Sequence, residues 1–494
     1  MLSEKFVLGI DLGTSSVKVM ALSKTGKIFS ESSSIKDLTN SKGYSEENPN
    51  EWYQQAVKAI DKLKFEDGIS LRDVQGISFS GQMHGLVLLD AKGNVLCNSI
   101  LWNDTRSFKE VSEINNTLGR EKILKITGNR MVEAYLLPKL LWIKNNNFEV
   151  WKKINTIMLP KDYLKYRITG VIDTDFSDAT GTGLFDIAKR TWSAELLNMY
   201  DIKREWLPKL SESVDVVGHV NQSFHLDTGV PVTTVVTSGA ADNAAGALGA
   251  GVTQHNKLLT SIGTSGVVLK PEKSLTGADG TLQSEYSAIK DCYYSMGVTL
   301  AAGHSFDWLK RTFFSKRTFD EITSMASKSP IGSNGLKFAP YISGERTPHF
   351  DAKIRGSFTN ISDINNESDF IRSVMEGITF SLKEIVDIYI QKDSEVREIV
   401  SIGGGSHSEL WLQMQADIFS LPIKTLRSEQ GPSLGASLLA SVAVGWFDTL
   451  EIAVKRIVNY NSKMYYPQND ISDQYQIIFD QYKKIYDCTK QLEQ

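Results

Sequence analysis

The sequence predicts an α/β protein built as two domains of one plan, residues 1–248 and 249–494. Three observations carry this. Of 494 residues, 41% are hydrophobic and 23% charged, an ordinary globular balance with apolar content for large cores. Segments of strand character alternate with segments of helical period. The pattern of strand, small-residue turn and strand occurs at Phe6 to Ser23 and recurs at Leu258 to Leu269, so Gly13 and Gly263 hold equivalent places. Length alone suggests about three domains. The recurrence favours two large ones, with a boundary near residues 245 to 255.

Phe6 to Leu12 is apolar and strand-like, Gly13-Thr14-Ser15-Ser16 turns, and Val17 to Ser23 alternates as a second strand. A third at Ile28 to Ser33 completes an antiparallel meander. From Asn50 to Phe65, the residues Trp52, Ala56, Ile60 and Leu63 share one face at helical spacing, with Asn50 the expected cap. Val74 to Ser80 reads as a strand of the same sheet, running into Gly81-Gln82-Met83-His84-Gly85. A strand pair at Leu86 to Asp90 and Val95 to Leu101 leads to Trp102-Asn103-Asp104-Thr105-Arg106. Pro231 to Thr237 reads as strand, Ser238 to Ala241 as turn, and Asp242 to Gly251 as a helix of small residues. In the second half, Ile399 to Ile402 runs into Gly403-Gly404-Gly405-Ser406, and the next helix carries a core stripe of Leu410, Met414 and Ile418. Leu434 to Phe447 is shorter than the ~20 residues a membrane span needs and reads as a buried helix.

A net charge of −4 and a pI near 6.1 give no basic footprint, so neither nucleic acid nor an anionic membrane is expected as a partner. A small molecule is. Cys97, Cys292 and Cys488 are scattered and odd in number, which fits a reducing cytoplasm rather than a disulfide framework or a CxxC metal site. Met1 to Lys5 runs straight into a strand-like segment without the apolar core of a signal peptide. Composition leaves a homodimer open.

Adjacent backbone N–H groups in a tight turn form a concave anion site, and small side chains let phosphate oxygens approach. Both Gly-Thr-Ser turns qualify: Gly13, Thr14 and Ser15, and Gly263, Thr264 and Ser265. Neither fits the Walker or Rossmann glycine pattern, and each is also compatible with a plain hairpin turn. Asp11 and Lys18 flank the first turn and suit a magnesium ion and a phosphate. Asp242 is the only charge in a run of small residues, so a substrate can come close to it. Ionised, it can take a proton from a hydroxyl attacking a phosphate, and it equally suits a helix start by complementing the dipole. Gly404 and Gly405 lie on a strand-to-helix loop of the kind found beneath nucleotides. His84 stands on a Gly-flanked loop, while Trp102 and Asp104 suit a sugar, although Asp104 and Arg106 also suit a structural ion pair.

Together these segments resemble the FGGY carbohydrate kinases over nearly the whole chain. The matching runs are Gly9 to Lys18, Ser80 to Gly85, Leu101 to Arg106, Pro160-Lys161-Asp162-Tyr163-Leu164, Asp242 to Gly246, Gly263 to Gly266, Ser343-Gly344-Glu345-Arg346-Thr347-Pro348-His349 and Gly403 to Ser406. The resemblance implies two actin-like ATPase (ribonuclease-H-like) domains with ATP, Mg²⁺ and sugar in an interdomain active-site cleft. It implies Asp242 as proton acceptor, Asp11 and Asp242 at the metal, both Gly-Thr-Ser turns and Lys18 at the phosphates, and Gly404 and Gly405 on the adenosine side. Met83, His84, Trp102, Asp104, Asp242 and Asn243 are then expected to contact the sugar, and the Gln-Met-His-Gly run points to D-xylulose. Where family members usually show Gly-Phe-Thr before Ala-Pro-Lys, this chain has Glu133-Ala134-Tyr135-Leu136-Leu137-Pro138-Lys139, beside the family's sugar pocket. The departure bears on sugar preference. Ribulose or gluconate as acceptor, and an actin-like or chaperone-like ATPase without sugar, are the other readings.

Overall fold

Three apolar, alternating segments, Phe6–Leu12, Ser16–Ser23 and Ile28–Ser34, form the expected antiparallel meander, with Asp11 opposite Lys18. The structure, a computed structural model, describes residues 4–36, 38–39, 43–275, 279–392 and 395–492. Val74–Gly81 adds in parallel to Phe6–Leu12, and the sheet runs Val216–His219, Val235–Thr237, Val74–Gly81, Phe6–Leu12, Ser16–Ser23, Ile28–Ser34. Ala240–Ala241, read as turn, is instead a short strand on the end of Val74–Gly81. Residues 231–234, read as strand, are a turn closed by the Thr234 N–H on the Pro231 carbonyl.

One face of this sheet buries Leu8, Ile10, Val17 and Val19 against Trp52, Ala56, Ile60 and Leu63 of helix Pro49–Phe65. The cap of that helix is Asn48 rather than Asn50. Pro49, whose fixed φ and missing N–H suit the first helical position, moves the start back, and the Asn50 side chain accepts from Tyr163 and Arg167 instead. The opposite face carries Gly9. A Cβ there would stand 2.1 Å from the Ser433 carbonyl oxygen, so only glycine lets helix Pro432–Ala443 lie on the sheet. The same helix crosses Asp242–Gly249 so closely that a Cβ on Gly435 would stand 1.9 Å from the Ala245 oxygen. The small residues of both helices are therefore packing devices. The hairpin expected at residues 86–101 is reduced to bridges at Leu86 with Ile100 and Leu89 with Val95, because Val87–Leu89 pairs with Thr156–Met158.

The chain divides into two compact units: Met1–Gly251 with Lys273–Tyr294 and Gln430–Val458, and Val252–Glu272 with Ser295–Glu429 and Asn459–Gln494. The second half thus lends two segments to the first unit. In the second unit the strands Tyr293–Thr299, Gly266–Glu272, Lys257–Ile262, Glu398–Gly403 and Ile423–Thr425 lie side by side in that order. Lys257–Ile262 pairs antiparallel with Gly266–Glu272 and parallel with Glu398–Gly403, which repeats the arrangement of Phe6–Leu12 with its neighbours. No helix among the described residues is long and apolar enough to cross a membrane.

Candidate functional site

In the first unit, two carboxylates flank the carboxyl end of Val74–Gly81. Asp11 lies beside Ser80 in the parallel pairing, and Ala240 and Ala241 pair with Ser80 and Gly81, so Asp242 emerges next to the same strand end as the first residue of its helix. Burial raises the Asp11 carboxyl to about 6, opposed by the Ser80 hydroxyl and the Lys18 charge. Burial first, and then the nearby Asp11 charge, raise Asp242 to about 7, opposed by the Asn243 N–H at 2.7 Å. A carboxyl that titrates there exchanges protons readily at neutral pH.

Two carboxyls that disfavour each other's charge also suit a divalent cation. Mg²⁺ is commonly held by one or two carboxylates completed by phosphate oxygens and water, and among the described residues no cluster of three or more His, Cys, Asp or Glu is placed to hold a metal alone. Asp11 and Asp242 fit that pattern. Lys18, its pKa lowered by burial, donates to the carbonyl and side-chain oxygens of Gln430 at 3.3 and 3.2 Å.

The first Gly-Thr-Ser turn is closed by the Gly13 N–H on the Ser16 carbonyl at 3.0 Å, and a Cβ on Gly13 would meet only that oxygen, at 3.4 Å. Gly13 is therefore uncrowded, while the Ser15 carbonyl accepts from the Ile35 N–H at 2.9 Å. Thr14 Oγ1 donates to Gln82 Oε1 (3.3 Å) and accepts from Trp102 Nε1 (3.1 Å), which ties Trp102, 42% exposed, to the turn. Gln82 in turn donates to Glu47, whose same oxygen accepts from Trp52 at 2.7 Å. Asp104 is buried and fully engaged: Arg106 binds both its oxygens, and the Ser45 N–H donates to Oδ2 at 2.7 Å. It anchors the Trp102 loop rather than facing a ligand.

Met83 and Asn243 lie beside Asp242. Asn243 Nδ2 lies 3.1 Å from Asp242 Oδ1 and 3.6 Å from Met83 Sδ. His84, at φ 70°, donates from Nδ1 to the Gly181 carbonyl at 2.7 Å, so Nε2 of the neutral ring is an acceptor. The departing segment reaches this loop directly. The Tyr135 ring lies 5.0 Å from the His84 ring, and Lys139 Nζ binds the His84 carbonyl at 3.0 Å and that of Ala134 at 2.6 Å.

Behind Asp242 lies a buried ionic network; Pro160-Lys161-Asp162-Tyr163-Leu164 stands among the runs that resemble the family, but nothing in the sequence assigns these lysines buried partners, since lysines spaced along a helix usually face solvent. Lys165 Nζ holds Asp173 (2.7 Å) and the Ser238 carbonyl (2.9 Å), and Lys161 Nζ holds Asp162 (2.6 Å) and Asp175 (2.8 Å). Ser177, bonded to Asp175, accepts the Ala241 N–H at 3.0 Å. The strand that delivers Asp242 is thus held at both ends.

In the second unit the Gly263 N–H closes its turn on the Ser265 carbonyl at 3.1 Å, and Gly263 and Thr264 border a cavity of about 510 Å³ walled by Ile262, Phe306 and Trp411, with Gly404 and Gly405 on its floor. Apolar walls with a few polar groups suit a flat aromatic base. The two floor glycines differ. A Cβ on Gly404 would find only the Ile262 oxygen at 3.6 Å, whereas one on Gly405 would stand 2.6 Å from Ile262 Cδ1. Gly404 is open to a ligand and Gly405 is required by packing.

The models of the FGGY family of carbohydrate kinases match residues 6–249 (N-terminal domain) and 258–444 (C-terminal domain). The chain is 44% identical to a xylulose kinase of Bacillus subtilis (strain 168) over 490 residues, 99% of this chain and 98% of that protein. The crystal structure of ligand bound xylulose kinase from Lactobacillus acidophilus superposes with a TM-score of 0.93 at 29% identity, covering 98% of each chain, and a gluconate kinase structure from the same organism gives the same values. The two-unit α/β architecture is the actin-like ATPase fold.

Proposed function

The chain belongs to the FGGY family of carbohydrate kinases and is a sugar kinase, and from that premise we propose that it phosphorylates D-xylulose with ATP, giving D-xylulose 5-phosphate and ADP, with Asp242 as the general base. The observation that carries this reading is the group of Asp242, Asn243 and Met83, with a carboxyl at about 7. Asp242 takes the proton of the sugar hydroxyl as that oxygen forms its bond to the γ-phosphorus and the bond to the ADP oxygen breaks. Met83 and His84 bound the sugar, and His84 Nε2 accepts from one of its hydroxyls. The Gly13–Ser15 turn with Lys18, and the Gly263–Ser265 turn, bind phosphates through backbone N–H groups, while the cavity beside Gly404 takes adenosine. Mg²⁺ held by Asp11 and Asp242 would neutralise charge on the phosphates.

Relatives described as xylulose kinases support the acceptor, while the equal match to a gluconate kinase structure leaves the acceptor a question separate from the fold. Tyr135, whose ring lies against His84 at a position where this chain departs from the family pattern, is where its preference would be set. A panel of D-xylulose, ribulose and gluconate decides. The highest kcat/KM is expected for D-xylulose, and a higher value for either alternative rejects the substrate assignment.

A further inference from the structure

In the second unit, the buried carboxyl of Glu345 collects four hydrogen bonds from groups that lead to the Gly-Thr-Ser turn. Glu345 is 2% exposed. Its Oε2 accepts from the Thr299 hydroxyl (2.7 Å) and the Ser381 hydroxyl (3.1 Å), and its Oε1 from the N–H groups of Leu300 (3.2 Å) and Arg346 (2.7 Å). Four hydrogen bonds converging on one carboxyl oppose, without cancelling, the burial that raises it to about 7, and they fix whatever bears them. Here they fix the end of strand Tyr293–Thr299 and the residue after it, with Ser381 on helix Glu367–Lys392 as the support.

The segment so fixed grips the turn from two sides. The Gly303 N–H donates to the Gly263 carbonyl at 2.7 Å and the His304 N–H to the Thr264 carbonyl at 3.1 Å. This approach admits no side chain, because a Cβ on Gly303 would lie 2.4 Å from the Gly263 oxygen. On the other side, a Cβ on Gly266 would lie 2.5 Å from Thr299 Cγ2 and 3.1 Å from Ala302 Cβ. The chain of contacts is continuous: Glu345 to Thr299 and Leu300, through Ala302 and Gly303, to Gly263, Thr264 and Gly266.

We propose that Glu345 is a positioning residue for phosphate binding, orienting the Gly263–Ser265 turn through the Thr299–His304 segment without touching the nucleotide. This rests on the reading of that turn as a phosphate site. A carboxylate does here what an apolar residue would not, since it orders two backbone positions and two hydroxyls in one geometry. Glutamine keeps the size but presents two N–H groups where two donors already point.

The test is ADP affinity by calorimetry on the full chain, which requires no knowledge of the acceptor. Glu345→Gln and Thr299→Val are expected to weaken ADP binding about 10-fold or more, the scale of a lost hydrogen bond to a charged group. Thr299→Ser, which keeps the hydroxyl, is expected to stay within about 2-fold of wild type, and D-xylulose affinity should not move in any of the three. Unchanged ADP affinity in both Glu345→Gln and Thr299→Val, whatever their melting temperatures, overturns the proposal, as does an equal loss in Thr299→Ser. Should Glu345→Gln fail to fold, the Thr299 pair decides alone. Gly263→Val separates the two layers, because its side chain has room in the backbone yet projects at the cavity. A loss of ADP binding there without a loss in Glu345→Gln rejects the positioning role and leaves the phosphate site intact, whereas no loss in either rejects both.

Discussion

Asp242 combines two demands that pull against each other. To accept a proton near neutrality it must sit where its charge is disfavoured, and burial beside Asp11 does this. Because its folded-state pKa of about 7 lies above the ordinary 3.8, the fold binds that proton more tightly than the unfolded chain. The stabilising contribution is full below about pH 3.8, declines as pH rises toward 7, and is absent above it. Without metal or nucleotide, Asp242→Asn is therefore expected to melt higher than wild type at pH 8, with a smaller gain at pH 5; assayed with ATP, Mg²⁺ and sugar it is expected to lose ~10²–10⁴-fold in kcat. Thermal melts at the two pH values and initial rates check this. A variant that melts lower at pH 8 contradicts the buried-charge argument. In the wild type, kcat/KM for the sugar is expected to fall as pH drops through about 7; a profile flat down to pH 5 contradicts the general-base role.

At the scale of elements, the chain uses the same part twice, once in each unit. An antiparallel hairpin closes a Gly-Thr-Ser turn, and the parallel neighbour of its first strand ends in the loop that faces a ligand: Gly81 to Gly85 after Val74–Gly81, and Gly403 to Ser406 after Glu398–Gly403. In the proposed function the first of these equivalent loops contacts the sugar and the second the adenosine. Within the second loop the two glycines separate stability from binding. Gly405→Ala is expected to cost about 1–3 kcal/mol through overpacking on Ile262. Gly404→Val should melt near the wild-type temperature but bind ADP more weakly by filling the cavity floor. Denaturant melts with calorimetry distinguish them, and the reverse pattern would refute the assignment of the two glycines.

For the whole molecule, the consequential fact is that the chain returns. Helix Pro432–Ala443 covers the face of the first sheet that Gly9 opens, and it also packs on Asp242–Gly249. A fragment ending at Gly251 would expose that face, so it is expected to be insoluble or to lack a cooperative melt even though it spans the residues matched by the N-terminal family model. Soluble expression with a sharp transition would show that the helix is dispensable to the first unit.

Local pattern by itself determined the first meander, the helix after it and the repeated turn, and it pointed to the candidates Asp11, Asp242, His84 and Gly404, because period, turn chemistry and an isolated charge among small residues are written in adjacent positions; Met83 entered only through the family resemblance. Tertiary structure alone decided the rest. Asp104 suited either a sugar or an ion pair with Arg106 until the fold brought Arg106 and Ser45 onto it, and Asn50 looked like a cap until Pro49 moved the helix start. Lys161, Lys165 and Glu345 prove buried, which no local pattern around them states. The small residues of Pro432–Ala443 gave a buried helix but not its unit, since which sheet a helix covers depends on a partner surface hundreds of positions away. Sequence reports what a residue can do, and the partners brought to it by folding fix its protonation, its accessibility and its role.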